Sequence, residues 1–157
     1  MGLTERTNRN VDLTYWEGEI PVNYVYTYGL GLEAFFRALK EQGKFLASRC
    51  EECGVTYLPA RVFCERCLGK LEGTFAVPGT GKVYAYTVVH RNMDESPKDE
   101  PVILALVDMD GTDCRFVHYL TGVEPGEVKV GMAVKPVLKA KKDRKGGIED
   151  IVGFAPA

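Results

Sequence analysis

Cys50-Glu51-Glu52-Cys53-Gly54 and Cys64-Glu65-Arg66-Cys67-Leu68-Gly69, with ten residues between Cys53 and Cys64, are the stretches that decide the fold. Two CxxC knuckles of this kind bring four thiolates to one point. Zinc takes four thiolates tetrahedrally at about 2.3 Å. Gly54, directly after a cysteine, lets the backbone turn tightly. After Cys67 the order is Leu68-Gly69, so the second knuckle is expected to be slightly irregular. Val55, Tyr57, Leu58 and Pro59 between the knuckles suffice for a short hairpin. So small a module buries little core, and a metal must supply much of its folding free energy.

Other readings of the quartet are a disulfide pair, free thiols, or iron in a rubredoxin-like electron carrier. Paired CxxC units in a reducing compartment point to metal over disulfides. Iron accepts four thiolates too. Zinc is favoured because no flavin or nicotinamide signature calls for an electron carrier. With Cys50, Cys53, Cys64 and Cys67 as ligands, no coordination position stays open, so the metal is expected to be structural.

Outward from the cysteines the chain divides into three. Residues 1–42 form an N-terminal arm ending in an amphipathic helix, 43–75 a rubredoxin-like zinc ribbon, and 76–157 an all-β region. Tyr15-Trp16-Glu17-Gly18-Glu19-Ile20-Pro21-Val22 in the polar arm is expected to pack on its own domain or on a partner. Leu32, Phe35, Phe36 and Leu39 fall on one helical face. Glu33, Arg37 and Glu41 follow at four-residue spacing, and Gly43 is a stop signal. Beyond residue 76, strands are predicted at Val83–Val89, Val102–Val107, Cys114–Leu120, Val134–Leu138 and Ile148–Phe154. Five short strands without room for crossover helices fit a five-stranded OB-fold barrel. A sandwich of similar size fits the same pattern. The fold class is therefore mainly β: helical arm, zinc ribbon, OB barrel.

The chain has 157 residues, 45% hydrophobic and 27% charged, with a formal net charge of −2. That is a globular balance without the positive field of non-specific nucleic-acid binding. No apolar run approaches the roughly 20 residues of a membrane span. Met1–Asn10 has no signal-peptide character, so a cytoplasmic location is the expectation.

No catalytic set is legible. The two histidines, His90 and His118, sit at or near strand ends, away from any nucleophile signature, and read as packing residues. Cys114 reads as a small core residue. Gly79-Thr80-Gly81 precedes a strand and is a turn, not a phosphate loop. Asp94, Glu95, Asp99 and Glu100 read as a solvated loop. Lys135, Lys139, Lys141, Lys142, Arg144 and Lys145, offset only by Asp143, form a basic cluster. It is either a solvated hairpin ending at Gly146-Gly147 or a contact for the phosphates of coenzyme A or an acidic partner. An OB-fold also allows single-strand nucleic-acid binding through Tyr84, Tyr86, Phe116 and Tyr119, against which the net charge argues.

These residues together resemble the family catalogued as domain of unknown function 35 (DUF35). The likeness runs through Leu32-Glu33-Ala34-Phe35-Phe36-Arg37-Ala38-Leu39, Gly43-Lys44, Cys50-x-x-Cys53-Gly54, Tyr57-Leu58-Pro59-Ala60-Arg61 and Cys64-x-x-Cys67. It continues through Gly79-Thr80-Gly81-Lys82-Val83, Tyr86-Thr87-Val88-Val89, Gly131-Met132-Ala133-Val134 and Phe154-Ala155-Pro156. Ala60 stands where many members have a second proline. The resemblance implies a zinc ribbon joined to an OB-fold, structural zinc, and a non-catalytic partner of thiolase-fold enzymes or acyl-CoA hydratases. Trp16–Val22 and Tyr26-Thr27-Tyr28-Gly29 are similar to the thiolase-associated branch. That implies a hetero-oligomer with a thiolase-fold catalytic subunit and a coenzyme A thioester as ligand of the complex. Thiolase catalytic cysteines and histidines have no counterparts here.

Overall fold

A computed structural model describes residues 23–157. The Tyr15–Val22 stretch lies outside the described residues.

Helix α1 runs Gly29–Gln42. Its apolar stripe buries Phe35, Ala38 and Leu39, while Leu32 and Phe36 are half-buried at its edges. Glu33 and Arg37 pair across the exposed side at 2.6 Å, a contact of small net worth in water. Gly43 ends the helix at φ 69°, and its N–H donates to Leu39 O. Only glycine adopts this left-handed cap without a steric penalty.

Strand β1 (Phe45–Arg49) is the centre of a three-stranded sheet, with β2 (Thr56–Tyr57) on one side and β3 (Phe75–Val77) on the other. This corrects the expected hairpin between the knuckles. Val55–Tyr57 turns back on β1 across the first knuckle, pairing Ser48 with Tyr57 and Arg49 with Thr56. The strand β3, absent from the sequence reading, forms because Phe45 and Ala47 need a partner on their free edge.

The remaining strands are β4 (Gly81–Arg91), β5 (Pro97–Met109), β6 (Arg115–Leu120), β7 (Ala133–Leu138) and β8 (Ile151–Pro156). They close into a barrel of order β4-β5-β6-β8-β7. The β6–β8 pairing is parallel and the others antiparallel. That closed five-stranded order is an OB-fold barrel and removes the sandwich alternative. Gly81 is forced by close approach: a Cβ there would lie 2.3 Å from the Asp108 carbonyl oxygen.

The strand ends differ from expectation most at two places. The β4–β5 hairpin is longer than predicted and carries Asp99 and Glu100 on β5 rather than in a loop. The turn is confined to its tip, where Asn92 N–H donates to Ser96 O and Ser96 Oγ to Asp94 Oδ1. The last strand starts at Ile151, because Ile148–Asp150 form a turn of 3-10 helix. The Asp150 carboxylate imposes that turn by accepting the N–H groups of Lys145 and Gly146.

The core joins the two sheets. Phe35, Leu39, Phe45, Ala47 and Leu58 form one buried cluster with Val83, Ile103, Val107, Phe116 and Phe154 of the barrel. A second, smaller cluster gathers Val55, Tyr57 and Leu71 about Cys50 and Cys64. Half-buried Cys114 touches both clusters.

Candidate functional site

The two knuckles have the same backbone pattern. In the first, Gly54 N–H donates to Cys50 O at 2.8 Å; in the second, Leu68 N–H donates to Cys64 O at 3.0 Å. The second knuckle is thus as regular as the first. The left-handed position falls on Gly54 (φ 67°) in one and on Leu68 (φ 59°) in the other. A leucine there is strained, and its side chain escapes into solvent. Gly69 follows because a Cβ at that position would approach Cys67 Sγ to 3.2 Å.

The knuckles bring together one sulfur each from Cys50, Cys53, Cys64 and Cys67, all within 4.8 Å of one another. A tetrahedron with 2.3 Å metal–sulfur bonds has sulfur–sulfur edges of about 3.8 Å. Cys50 and Cys67 Sγ are 3.6 Å apart, on that scale and far from a disulfide bond. All five cysteines are free thiols. Cys114 Sγ points instead to the Thr56 carbonyl at 3.7 Å.

The electrostatics of the cluster suit a cation. Tyr57 Oη lies 3.2 Å from Cys64 Sγ, and Arg66 N–H approaches the same sulfur at 3.4 Å. The hydroxyl first, then the Cys67 and Arg66 N–H groups, hold the Cys64 thiol down at about 6 despite its burial. Cys67 goes the other way. The Gly69 N–H favours its thiolate, but Cys50, burial, Cys64 and Cys53 push it up to about 12. One thiolate resists the ionisation of its neighbours. A divalent cation reverses that balance, since thiols that coordinate a metal are deprotonated outright. The donor set fits four-coordinate zinc.

The ribbon is clasped to the barrel beside this cluster. Thr56 N–H donates to Asp113 Oδ2 at 2.8 Å, and Asp113 N–H donates back to Thr56 O at 3.0 Å. Asp113 lies in the turn between β5 and β6.

The histidines are apart from this centre. His90 is exposed on β4. His118 stacks on Phe116 and packs against Phe154, and burial pushes its pKa down. Its Nδ1 accepts the Tyr119 N–H at 2.9 Å.

Lys135 lies on β7 itself, and the rest of the basic run follows as a loop around a short 3-10 turn, Lys141–Asp143, rather than as a hairpin. Lys141, Lys142 and Lys145 are exposed, and Lys139 is half-buried. Arg144 turns inward. Its Nε donates to Lys139 O at 2.8 Å and its Nη1 to Leu39 O at 3.3 Å, so it braces the C-terminus of α1. Asp150 holds the loop from beneath. Burial pushes its carboxyl up, but the N–H groups of Lys145, Gly146 and Gly147 and the charge of Lys139 outweigh this and hold it below the usual range.

The outer face of the barrel is apolar where β4, β5 and β6 meet. Val102–Val107 is apolar at every position, so both faces of β5 are apolar. Ile103, Ala105 and Val107 are buried inside. Leu104 pairs with Thr87 and Tyr119, and Leu106 with Ala85 and Val117, on the other face. Val117 and Tyr119 are more than half exposed. Next to them a groove of about 1130 Å³ is lined by Val89, Val102, Leu104, Tyr119, Val123 and Val152. Of the aromatics considered for base stacking, Phe116 is in the core. Tyr84 is covered by the Arg115 guanidinium, 3.6 Å from its ring centre.

Comparison with known proteins agrees with this architecture. Residues 37–72 match the family model of the ChsH2 rubredoxin-like zinc ribbon domain, and 75–139 that of the ChsH2 C-terminal OB-fold domain. A DUF35 domain-containing scaffold protein of Methanocaldococcus jannaschii is 31% identical over 115 residues, 72% of this chain and 81% of that one. A protein of the same description from Pyrococcus furiosus is 30% identical over 105 residues, 67% of this chain and 76% of its own. Among solved structures, a DUF35 protein of unknown function from Sulfolobus solfataricus superposes with a TM-score of 0.63 at 26% identity, covering 82% of this chain and 87% of its own. A chain of an Ltp2-ChsH2(DUF35) aldolase superposes with a TM-score of 0.58 at 24% identity, covering 88% and 98%. This last likeness is one of fold.

Proposed function

The chain belongs to the DUF35 family, and on that premise we propose that it is a non-catalytic scaffold subunit of a thiolase-fold acyltransferase complex. The carrying observation is the outward apolar face of β4, β5 and β6. A barrel strand open to water alternates apolar with polar residues. Here half-buried Leu104 and Leu106 and exposed Val117 and Tyr119 stand where polar residues belong. Contiguous exposed apolar surface of this kind marks a protein contact. The description of the curated relatives as scaffold proteins supports the same reading.

In this proposal Cys50, Cys53, Cys64 and Cys67 hold one zinc, which fixes the two knuckles and performs no chemistry. The occupant of the apolar face is the catalytic subunit, and catalysis resides there. Lys139, Lys141, Lys142 and Lys145 reach the phosphates of its coenzyme A thioester. Arg144 contributes by holding their loop against α1. In its finest form the proposal names the small subunit of a benzoylsuccinyl-CoA thiolase of anaerobic toluene breakdown.

The test is co-expression with a thiolase-fold catalytic subunit of that class. The wild-type pair should co-purify and cleave the acyl-CoA thiolytically, and the isolated chain should be inactive. Leu104→Glu should abolish co-purification while the chain keeps its zinc and its melting temperature. Full activity from the isolated chain, or an intact complex with Leu104→Glu, would sink the proposal.

A further inference from the structure

Tyr57 is 1% exposed, so its hydroxyl needs protein partners. The one the geometry gives is Cys64 Sγ, 3.2 Å away. A thiolate bound to a metal has no proton to give. In the zinc-bound state the hydrogen bond therefore runs from oxygen to sulfur.

The backbone holds this geometry. Tyr57 is placed in register by its β2 pairing with Ser48 of β1. Thr56, one residue earlier, is clasped by Asp113 of the barrel. The Arg61 guanidinium covers the ring, 4.9 Å from its centre. Cys64, the receiving ligand, is fully buried, whereas Cys67 is exposed.

Four thiolates around a divalent zinc carry two negative charges in excess. Water offsets this at Cys67. At Cys64 only protein donors can do so, and charge-assisted hydrogen bonds are the strong ones. We infer that Tyr57 is a positioning residue of the metal centre. Its hydroxyl donates to the Cys64 thiolate, orients that ligand and stabilises the zinc-bound state. The inference rests on the quartet being the zinc site.

The experiment uses the full chain, wild type and Tyr57→Phe, with Tyr84→Phe as an exposed control. The phenylalanine keeps the ring and its packing and removes only the oxygen. Zinc affinity is measured by chelator competition, and the cobalt-substituted protein by its sulfur-to-metal charge-transfer band. Tyr57→Phe should bind zinc about 10–100-fold more weakly, the usual cost of losing a partner to a metal ligand. Its charge-transfer band should move to lower energy, because the sulfur loses a donor that draws off electron density. A residue that only packs would leave that band in place. Wild-type affinity and an unmoved band in Tyr57→Phe would overturn the inference. Absence of stoichiometric metal in the wild type would overturn the zinc reading itself. Should Tyr57→Phe lose its fold, 3-fluorotyrosine at this position replaces it: a changed band supports the inference and an unchanged one overturns it.

Discussion

Phe35→Ala tests whether ribbon, helix and barrel are one cooperative body. Phe35 is fully buried and meets Phe36 and Phe45 edge-on, at centroid distances of 5.3 and 5.8 Å. It belongs to the cluster that also holds Val83, Phe116 and Phe154 of the barrel. Removing a buried phenylalanine ring costs about 3–5 kcal/mol, the loss of transfer free energy plus the cavity left behind. In a chain of 157 residues each kcal/mol lowers the melting temperature by roughly 2–4 °C. The expected fall is therefore about 6–20 °C. Two probes are followed in one thermal ramp: far-ultraviolet circular dichroism for the barrel and a zinc-sensitive dye for the ribbon. Both midpoints should fall together. Zinc release that stays at its wild-type temperature while the barrel melts early would refute the shared core. So would a fall of less than about 3 °C.

Asp113→Ala removes the acceptor of the Thr56 N–H and leaves that nearly buried group unpaired. A loss of about 1.5–3 kcal/mol is expected, with amide exchange accelerated at Thr56 and Tyr57 ahead of the barrel strands. Uniform acceleration would contradict the clasp. Asp150→Asn loses a buried carboxylate that accepts the Lys145 and Gly146 N–H groups. The folded carboxyl lies below its ordinary value, so its contribution is complete above about pH 4 and fades as pH falls through the lower folded value. The variant should be about 2–3 kcal/mol less stable at neutral pH. The gap to wild type should narrow in acid denaturation, and a gap constant down to pH 2 would argue against the assignment.

The cysteine spacing was legible because metal geometry leaves little choice. The barrel strands were legible because β-branched and aromatic runs end at glycine-bearing turns. What escaped depended on specific contacts, near or far in the chain, that no local pattern encodes. Strand β3 exists only because β1 offers a free edge. Tyr57 reads as a strand aromatic until the second knuckle folds over its hydroxyl. Asp150 falls inside the predicted strand Ile148–Phe154, and nothing in that pattern foretells the Lys145 and Gly146 N–H groups that close around it. Arg144 counted toward a basic patch, yet its guanidinium is committed to Leu39, 105 positions earlier. The apolar outer face was written plainly in Val102–Val107, where alternation fails. A run apolar at both parities means that both faces of the strand are covered, and only one can face a barrel interior.

The two-residue strand β2 links the cysteine cluster to the strands that carry the proposed docking face. Successive strand residues point to opposite sides, and here the sides differ in kind. The Thr56 backbone is held by the turn between β5 and β6, while the Tyr57 hydroxyl reaches the metal knuckle. The strands that leave this turn carry Leu106 and Val117, then Leu104 and Tyr119, on the outward face. A metal that fixes Cys64 thereby fixes Tyr57. The pairing of β2 with β1 keeps Tyr57 in register, and Thr56 of β2 anchors the turn from which the proposed docking face extends. On the proposed function, a structural zinc held by the quartet would stiffen this path, and a catalytic subunit seated on the outer face would meet a surface already fixed in shape.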